Sequence, residues 1–234
     1  MRLIAMLTLS LALAGCADVV DGTAAPAEAP ATTTAAPTTT APAMVTTASL
    51  STLLLKRGEL GTIVGDTDMN QAQEITTGHP NALANPVDPY ECRDRTLPAE
   101  TGMGFRSVQG VLGNVNRGVG GQAATQVVAV FGNREDPGRA LEVARDEWDD
   151  CAQGQVFTID AGDGATQKYS AGEVVPGQTR IGNTITRLDP PGRTCHKVMA
   201  AQANVLVETT VCGTGDVTAQ ANEIADVILA KVPR

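Results

Sequence analysis

Aromatic residues, histidines and clustered basic residues are scarce in this sequence of 234 residues. It contains six aromatic residues and two histidines, and its formal net charge is -9. Nucleic-acid binding needs concentrated Lys and Arg, so the acidic balance and the lack of a basic run exclude nucleic acid as an expected partner. So few aromatic side chains also count against a sugar-binding surface built from aromatic platforms.

The sequence also lacks the short motifs that mark common catalytic sites. It has no G-x-x-x-x-G-K-[ST] phosphate loop, no G-x-S-x-G nucleophile elbow and no kinase H-R-D motif. Residues 118–123 match G-x-G-x-x-A, but a strand pattern follows them, which predicts a flexible turn and not a dinucleotide site. Residues 160–164 lack the closing Glu of a calcium loop and are interpreted as a solvated turn. We therefore expect no catalysis, no metal and no cofactor.

The first residues of the chain are typical of a bacterial lipoprotein signal. Arg2 precedes an apolar run over residues 3–14, which is too short to span a bilayer permanently. The run ends in Leu-Ala-Gly-Cys, which resembles the lipobox, where the cysteine thiol takes up diacylglycerol. We expect Cys16 to carry more than one acyl chain, such as palmitate, and to hold the protein on the extracytoplasmic face of the cell membrane. An ordinary secretory signal with a chance cysteine is the alternative.

Composition divides the chain into three parts. Residues 1–15 are predicted to be the signal peptide. Residues 16–47 are predicted to be a lipid-anchored, disordered tether, because a segment dominated by Ala, Pro and Thr cannot bury enough apolar surface to order the chain. Residues 48–234 are long enough for one core and show no internal repeat, which predicts a single globular domain.

Four cysteines remain once the lipidated one is set aside. They are Cys92, Cys151, Cys195 and Cys212. An even set in an exported chain predicts two disulfides, and zinc is the alternative, although C-x-x-C spacing is absent. If residues 203–204 form a hairpin turn, Cys195 lies directly opposite Cys212 at a non-hydrogen-bonded pair, where the Cα atoms are about 4.5 Å apart. This pairing is preferred and leaves Cys92 with Cys151; the other two connectivities stay open.

Periodicity of apolar residues predicts an α+β fold, an antiparallel sheet with packed helices. Alternating or β-branched residues predict strands over 107–115, 125–131, 155–159, 167–170, 180–188, 194–201 and 205–211. Capping residues and apolar stripes predict helices over 51–55, 59–64, 136–152 and 216–231. Residues 66–104, rich in Gly, Pro, Asn and Asp, are expected to be irregular.

Three side chains that could belong to a functional site have simpler structural interpretations. Trp148 shares a helix face with Leu141, so we expect it in the core. His196 follows Cys195 and points to the opposite strand face, where a hydrogen-bonded buried or edge histidine is expected. His79 precedes a proline in a polar segment and is expected to be exposed.

Six short segments, in their order along the chain, resemble the extracellular sensor domain of the mycobacterial PknH-type Ser/Thr kinases. They are LSTLLL at 50–55, PYEC at 89–92, VVAVF at 127–131, WDDC at 148–151, RTC at 193–195 and NVLVE at 204–208. The resemblance covers about residues 50–234 and rests mainly on the W-x-x-C mark with the two later cysteines. It implies an antiparallel sheet with helices, two disulfides and a cleft for an unidentified ligand. Trp148 and the four cysteines carry over as structural residues, and the family offers no catalytic residues.

The leading hypothesis is a non-enzymatic cell-envelope lipoprotein whose sensor-like domain binds a small molecule, lipid or glycan in a cleft. The chain lacks the kinase motifs of the family's better-known members, so a signalling role is not implied. The alternative is a protein-interaction or scaffolding module of the cell envelope. A third hypothesis, an unrecognised hydrolase, requires His196 or His79 beside a serine and a carboxylate.

Overall fold

The computed structural model describes residues 43–78, 87–100, 103–160 and 165–233. Cys16, His79 and residues 161–164 lie outside these ranges, so the predictions for the signal, most of the tether and the acidic turn stay predictions. Residues 41–234 form one compact unit. Within the described ranges, no helix has both the length and the apolar character that a bilayer-crossing segment needs.

The described part of the chain contains one antiparallel sheet of nine strands in the order β1-β3-β4-β9-β8-β7-β6-β5-β2. The strands are β1 Met69–Ile75, β2 Val87–Asp88, β3 Val108–Gly118, β4 Ala123–Phe131, β5 Val156–Asp160, β6 Thr166–Val175, β7 Arg180–Asp189, β8 Pro191–Gln202 and β9 Val205–Thr214. Each of the seven predicted strands overlaps one of these. The predicted α+β class with an antiparallel sheet is therefore confirmed.

Five α-helices pack against the sheet in the described ranges. They are α1 Leu50–Leu53, α2 Arg57–Val64, α3 Arg93–Thr96, α4 Asp136–Asp150 and α5 Thr218–Leu229. Helix α2 ends at Gly65, whose φ of 75° is the left-handed conformation that glycine adopts without strain. Helix α4 begins where Asn133 Oδ1 accepts the backbone N–H groups of Glu135 and Asp136, at 3.0 and 2.9 Å.

One face of the sheet, here called the α5 face, is covered by α1, α2 and α5. Its core is aliphatic and includes Leu60, Val128, Val207, Ile224 and Ile228. The buried Asn204, in the turn between β8 and β9, fastens the start of the domain to this face. Its Oδ1 accepts the N–H of Val45 at 3.0 Å, and its Nδ2 donates to the carbonyl of Val45 at 2.8 Å.

The opposite face, here called the α4 face, is covered by α4 and by the segment that contains α3. Its core holds larger side chains and includes Phe131, Leu141, Trp148, Ile181 and Met199. Trp148 is fully buried, which confirms the core position expected from the helical stripe. The stripe of α4 faces the sheet because its apolar residues recur at helical spacing.

The expectation that residues 66–104 are irregular is wrong, because this segment contains β1, β2 and α3. Strand β1 is an edge strand that pairs only with β3, and of its side chains only Met69 and Ile75 are buried. Its interior is therefore polar, without the apolar alternation that marks a half-buried strand. Strand β2 spans two residues, Val87–Asp88, and is too short to show any period.

Helix α1 ends two residues earlier than predicted because a buried side chain captures the chain after it. Gln126 Oε1 accepts the N–H of Leu55 at 2.9 Å, and Gln126 Nε2 donates to the carbonyl of Leu55 at 2.8 Å. Leu54 accordingly has extended backbone angles. The side-chain amide replaces the helical hydrogen bonds that Leu55 would otherwise make.

Both disulfides have the preferred pairing. Cys195 and Cys212 lie opposite each other in the β8–β9 register, with Cα atoms 4.0 Å apart. Cys92 bonds to Cys151, which joins the segment before α3 to the end of α4. This second bond explains why α4 ends at Asp150 and not at residue 152, because Cys151 leaves the helix to reach its partner.

The two disulfides are expected to contribute unequally to stability. Cross-linking restricts the unfolded chain more when the closed loop is longer, and the sequence separations are 59 for Cys92–Cys151 and 17 for Cys195–Cys212. Replacing both cysteines of a pair with alanine should lower the free energy of unfolding by about 4 kcal/mol for the first pair and about 3 kcal/mol for the second. Urea denaturation of the two double variants measures this, and the reverse ranking would contradict it.

Candidate functional site

A cleft of about 690 Å³ opens on the α4 face, at the end of the sheet where β3 turns into β4. Its floor is formed by side chains of β3, β4, β8 and β9. The segment Thr96-Leu97-Pro98, at the end of α3, forms one wall, and Ile159 of β5 with Tyr169 of β6 forms another. Three different parts of the chain therefore enclose it.

The strand register explains which side chains form the floor. Val115 pairs with Thr125 and Thr125 pairs with Thr210, so these three lie in one row across β3, β4 and β9. The neighbouring row continues from β3 to β8 and consists of Arg117, Ala123, Cys212 and Cys195. Directly opposed residues of antiparallel strands share a face, so both rows present their side chains to the cleft.

Glycines at the β3–β4 turn make room for a carboxylate from another part of the chain. A Cβ on Gly118 or Gly120 would collide with the side chain of Asp66, which is largely buried there. Asp66 Oδ2 accepts the N–H of Gly120 at 2.7 Å, and Gly121 has a φ of 87°. Residues 118–123 thus form a turn between antiparallel strands, as predicted, and their glycines accommodate Asp66.

Three arginines extend into the cleft from three strands. They are Arg117 of β3, Arg187 of β7 and Arg193 of β8. Arg193 Nη1 donates to the carbonyl of Gly121 at 2.6 Å, which holds this guanidinium against the β3–β4 turn. Partial burial lowers the pKa of Arg193, and the positive charges of Arg117 and Arg187 lower it further, against an opposing effect of Tyr169. The charged state of Arg193 is therefore disfavoured by two neighbouring positive charges.

A buried ion pair holds residues 94–99, here called the wall segment, over the sheet. Lys197 Nζ lies 3.4 Å from Glu208 Oε1, and the two side chains are 2% and 0% exposed. Lys197 also donates to the carbonyls of Asp94 and Leu97, at 3.0 and 2.7 Å. The carboxylate of Glu208 accepts the N–H of Ala99. The segment of residues 94–99 is thus bound through its backbone.

Aromatic and guanidinium groups extend this buried network. The ammonium group of Lys197 lies 5.8 Å from the ring centroid of Trp148, within the range of a cation–π contact. Arg95, also buried, donates from Nε to the carbonyl of Trp148 at 2.6 Å and from Nη1 to that of Gly172 at 2.7 Å. Burial raises the pKa of Glu208, although the charge of Lys197 opposes that rise.

A second cavity of about 460 Å³ lies beside the exposed Tyr90, between α3 and α4. Five of its lining residues carry carboxyl groups: Glu91, Asp94, Glu100, Glu147 and Asp150. Arg93 forms an ion pair with Glu100 in its wall, with Nη2 and Oε2 2.5 Å apart. In the described ranges, no three His, Cys, Asp or Glu side chains are grouped so that they could hold a metal ion.

His196 lies away from the cleft, on the α5 face with Val198 and Val207. It is 4% exposed, and its Nδ1 is 2.8 Å from the hydroxyl oxygen of Thr184. Burial lowers its pKa, against a smaller opposing effect of Asp216. The expected buried, hydrogen-bonded histidine is confirmed.

Among the residues singled out from the sequence, Cys195 and Cys212, Arg193 of the RTC segment, Asp160 and part of the 118–123 turn line the cleft. None of them was predicted to bind a ligand, so the arginines were missed as site residues. Arg187 and Arg193 are six residues apart, on the consecutive strands β7 and β8. Arg117 is far from both in the sequence, and only the register of the sheet brings it near Arg193. A detectable signal existed for Glu208, because a carboxylate at the end of the apolar run NVLV breaks the strand pattern.

A sequence profile of the family described as PknH-like extracellular domain matches residues 45–231. The chain belongs to this family. The PknH-like extracellular domain therefore accounts for almost all the described residues. The match is to an extracellular domain of a kinase and not to a kinase catalytic domain.

Curated relatives with this domain include the serine/threonine-protein kinase PknH of Mycobacterium bovis and of Mycobacterium tuberculosis (strain H37Rv). Each is 24% identical over 187 residues, which is 78% of this chain but only 30% and 29% of those kinases. The crystal structure of the extracellular domain of Mycobacterium tuberculosis PknH is similar, with a TM-score of 0.70 and 22% identity. The aligned region covers 81% of this chain and 97% of the solved one, so the two have the same fold.

Substitution of Lys197 tests whether its ion pair with Glu208 holds the wall segment. Lys197→Met should lower the free energy of unfolding by about 3–5 kcal/mol at pH 7, because it leaves Glu208 as an uncompensated buried charge. The loss should shrink as the pH falls toward 4.5, the ordinary pKa of this carboxyl, because the protonated group needs no counter-charge. Urea denaturation at several pH values measures both effects.

Lys168→Met is the matched control, since Lys168 is an exposed lysine of β6. It should change the free energy of unfolding by less than about 0.5 kcal/mol at any pH. Equal effects of the two variants, or a loss for Lys197→Met that grows at low pH, would contradict a buried charge pair.

Proposed function

We propose that this protein is a non-enzymatic cell-envelope lipoprotein whose extracytoplasmic domain binds a small ligand in the cleft on the α4 face. The cleft is the observation that carries the proposal. Its volume of about 690 Å³ is in the range of pockets that hold small molecules. Its mixture of apolar, hydroxyl and guanidinium groups supplies both contact area and polar groups that orient a ligand.

The chemistry of the cleft favours binding over catalysis. Among the described lining residues there is neither a histidine nor a serine, and the two cysteines, Cys195 and Cys212, are joined to each other. A thiolate nucleophile is therefore not available there, and no base adjoins a hydroxyl nucleophile in the pattern of acyl-transfer enzymes. The family match to a non-catalytic part of kinases supports the same conclusion.

Location on the outer side of the membrane rests on the sequence and on the family. The lipobox-like residues before Cys16 support an acyl anchor, and two disulfides are typical of chains that fold in an oxidising compartment. The relatives carry the matching domain as an extracellular one by its family description.

Cys16→Ser tests the anchor directly. The wild-type protein made in mycobacterial cells should stay in the membrane fraction, and its intact mass should show a mature chain that begins at residue 16 and is acylated. The variant should appear in the soluble fraction or keep its signal peptide. Thr32→Ser, in the predicted tether, should leave the membrane fraction unchanged. An unacylated wild-type N-terminus would falsify the lipoprotein assignment.

Ala123→Trp tests whether the cleft is the binding site. Ala123 lies in the floor of the cleft, so an indole group there should occupy the space of a ligand. Native mass spectrometry of the full chain, purified from mycobacterial cells in mild detergent, should show a retained small molecule that this variant loses. Val175→Trp is the matched control, because Val175 is 56% exposed near the end of β6 and does not line the cleft.

Native mass spectrometry together with crosslinking in intact cells separates ligand binding from the alternative of a protein-interaction module. A small molecule kept by the wild type and by Val175→Trp, and lost by Ala123→Trp, supports the proposal. A chain that never carries a small molecule, but forms the same crosslinked protein complex in intact cells with and without Ala123→Trp, contradicts it and favours the interaction module.

A further inference from the structure

The charge of the cleft is opposite in sign to that of the chain as a whole. The formal net charge of the protein is -9. Arg117, Arg187 and Arg193 line the cleft, and Asp160 is the acidic residue among its described lining residues, so these side chains leave an excess of two positive charges. A local excess of this sign in an acidic protein indicates that the cleft is adapted to a negative group.

Carboxylates of the described residues do not neutralise the three arginines. Within the described ranges, none of the three forms an ion pair with a carboxylate. Arg193 donates to the carbonyl of Gly121 and Arg187 Nε donates to that of Asp189 at 3.1 Å, so both contacts are to neutral backbone groups. The guanidinium of Arg117 has no hydrogen-bond acceptor in this part of the chain. Donors on all three groups are therefore left for a ligand.

The guanidinium groups of Arg187 and Arg193 are also held by hydrogen bonds before a ligand arrives. Arg193 is fixed by its hydrogen bond to the β3–β4 turn, which is itself held by Asp66. Arg187 and Arg193 are each only partly exposed. Desolvation and mutual repulsion disfavour the charged state of Arg193, and an anion would relieve that repulsion. Two of the three guanidinium groups are therefore pre-organised, which reduces the ordering that anion binding requires.

Apolar groups adjoin the arginines. Leu97, Pro98 and Ile159 line the same cleft, and the ring of Tyr169 stacks on Phe157 with centroids 5.7 Å apart. Tyr169 donates its hydroxyl to Gln167 Oε1 at 2.8 Å, so this ring is fixed as a wall. A ligand that fits both regions has a negatively charged group at one end and an uncharged, partly apolar body at the other.

We propose that the arginine end of the cleft binds the phosphate monoester group of such a ligand. This inference rests on the proposed ligand-binding function and names the ligand's chemical class. Guanidinium groups donate paired N–H groups that match the oxygens of phosphate, and a phosphate monoester carries close to two negative charges at pH 7, which equals the excess in the cleft. The phosphate could belong to a soluble metabolite or to a lipid headgroup, since both present the same group.

Calorimetric titration of the full chain in detergent tests the proposal with three probes. They are inorganic phosphate, glycerol 3-phosphate and dihexanoyl phosphatidic acid, and uncharged dihexanoylglycerol is the control ligand. At least one phosphate probe should bind, whereas dihexanoylglycerol should bind at least tenfold more weakly. Equal affinity of phosphatidic acid and glycerol 3-phosphate indicates a soluble ligand, and a clear preference for phosphatidic acid indicates a lipid. Failure of all three phosphate probes to bind overturns the proposal.

Arg117→Gln and Arg187→Gln identify the residues that bind the phosphate. Each should weaken binding of the phosphate probe by at least about tenfold, the factor that corresponds to loss of one charge-assisted hydrogen bond. Arg117→Gln removes no hydrogen bond within the described protein, so its folding should be preserved, and its urea midpoint verifies this. Arg139→Gln changes the net charge equally on the exposed side of α4 and should bind the probe like the wild type. Equal weakening by Arg139→Gln indicates a general charge effect and overturns the assignment.

The ligand retained from cells separates this inference from the proposed function. If Arg117→Gln and Arg187→Gln lose it together with Ala123→Trp, the anionic site is supported. If only Ala123→Trp loses it, the cleft binds a ligand without using the arginines, and the phosphate proposal fails while the binding function stands. If none of the variants loses it, both fail.

Discussion

The ion pair between Lys197 and Glu208 is the interaction on which the shape of the cleft depends. Both groups lie on central strands, β8 and β9, with almost no access to solvent. They bind the backbone of residues 94–99, so they fix where this segment runs. Burying two charges is costly unless their hydrogen bonds are satisfied, and here the wall segment supplies those partners. Without the pair, the α4 face would lose one wall of its cavity.

The two faces of the sheet differ in the chemistry of their side chains. The α5 face is filled by aliphatic side chains under three helices, and its buried polar residues include Asn116, Gln126, His196, Asn204 and Thr209. The α4 face carries the charged residues, both disulfides and both cavities. Because successive residues of a strand alternate between faces, Cys195 and Lys197 lie on the α4 face while His196 between them lies on the α5 face.

Local patterns in the sequence predicted much of the fold but little of the cleft. The strands from residue 107 onward and the Cys195–Cys212 bond follow from alternation and from counting outward from residues 203–204, which are short-range relations. Strand β1 was missed because its polar edge position removes the alternation. The arginines were missed for a different reason: Arg117 and Arg193 are neighbours only through the pairing of β3, β4, β9 and β8, which no local pattern specifies.

The hydrogen bonds of Asn204 to Val45 decide where the chain enters the domain. Asn204 lies in the β8–β9 turn, at one end of these strands, whereas Arg193 and the cleft lie at the other end. Strand β8 runs over Pro191–Gln202, and at about 3.3 Å per residue the two ends are about 36 Å apart. The point where the described chain enters the domain and the opening of the cleft therefore lie at opposite ends of the sheet and occupy different surfaces of the domain.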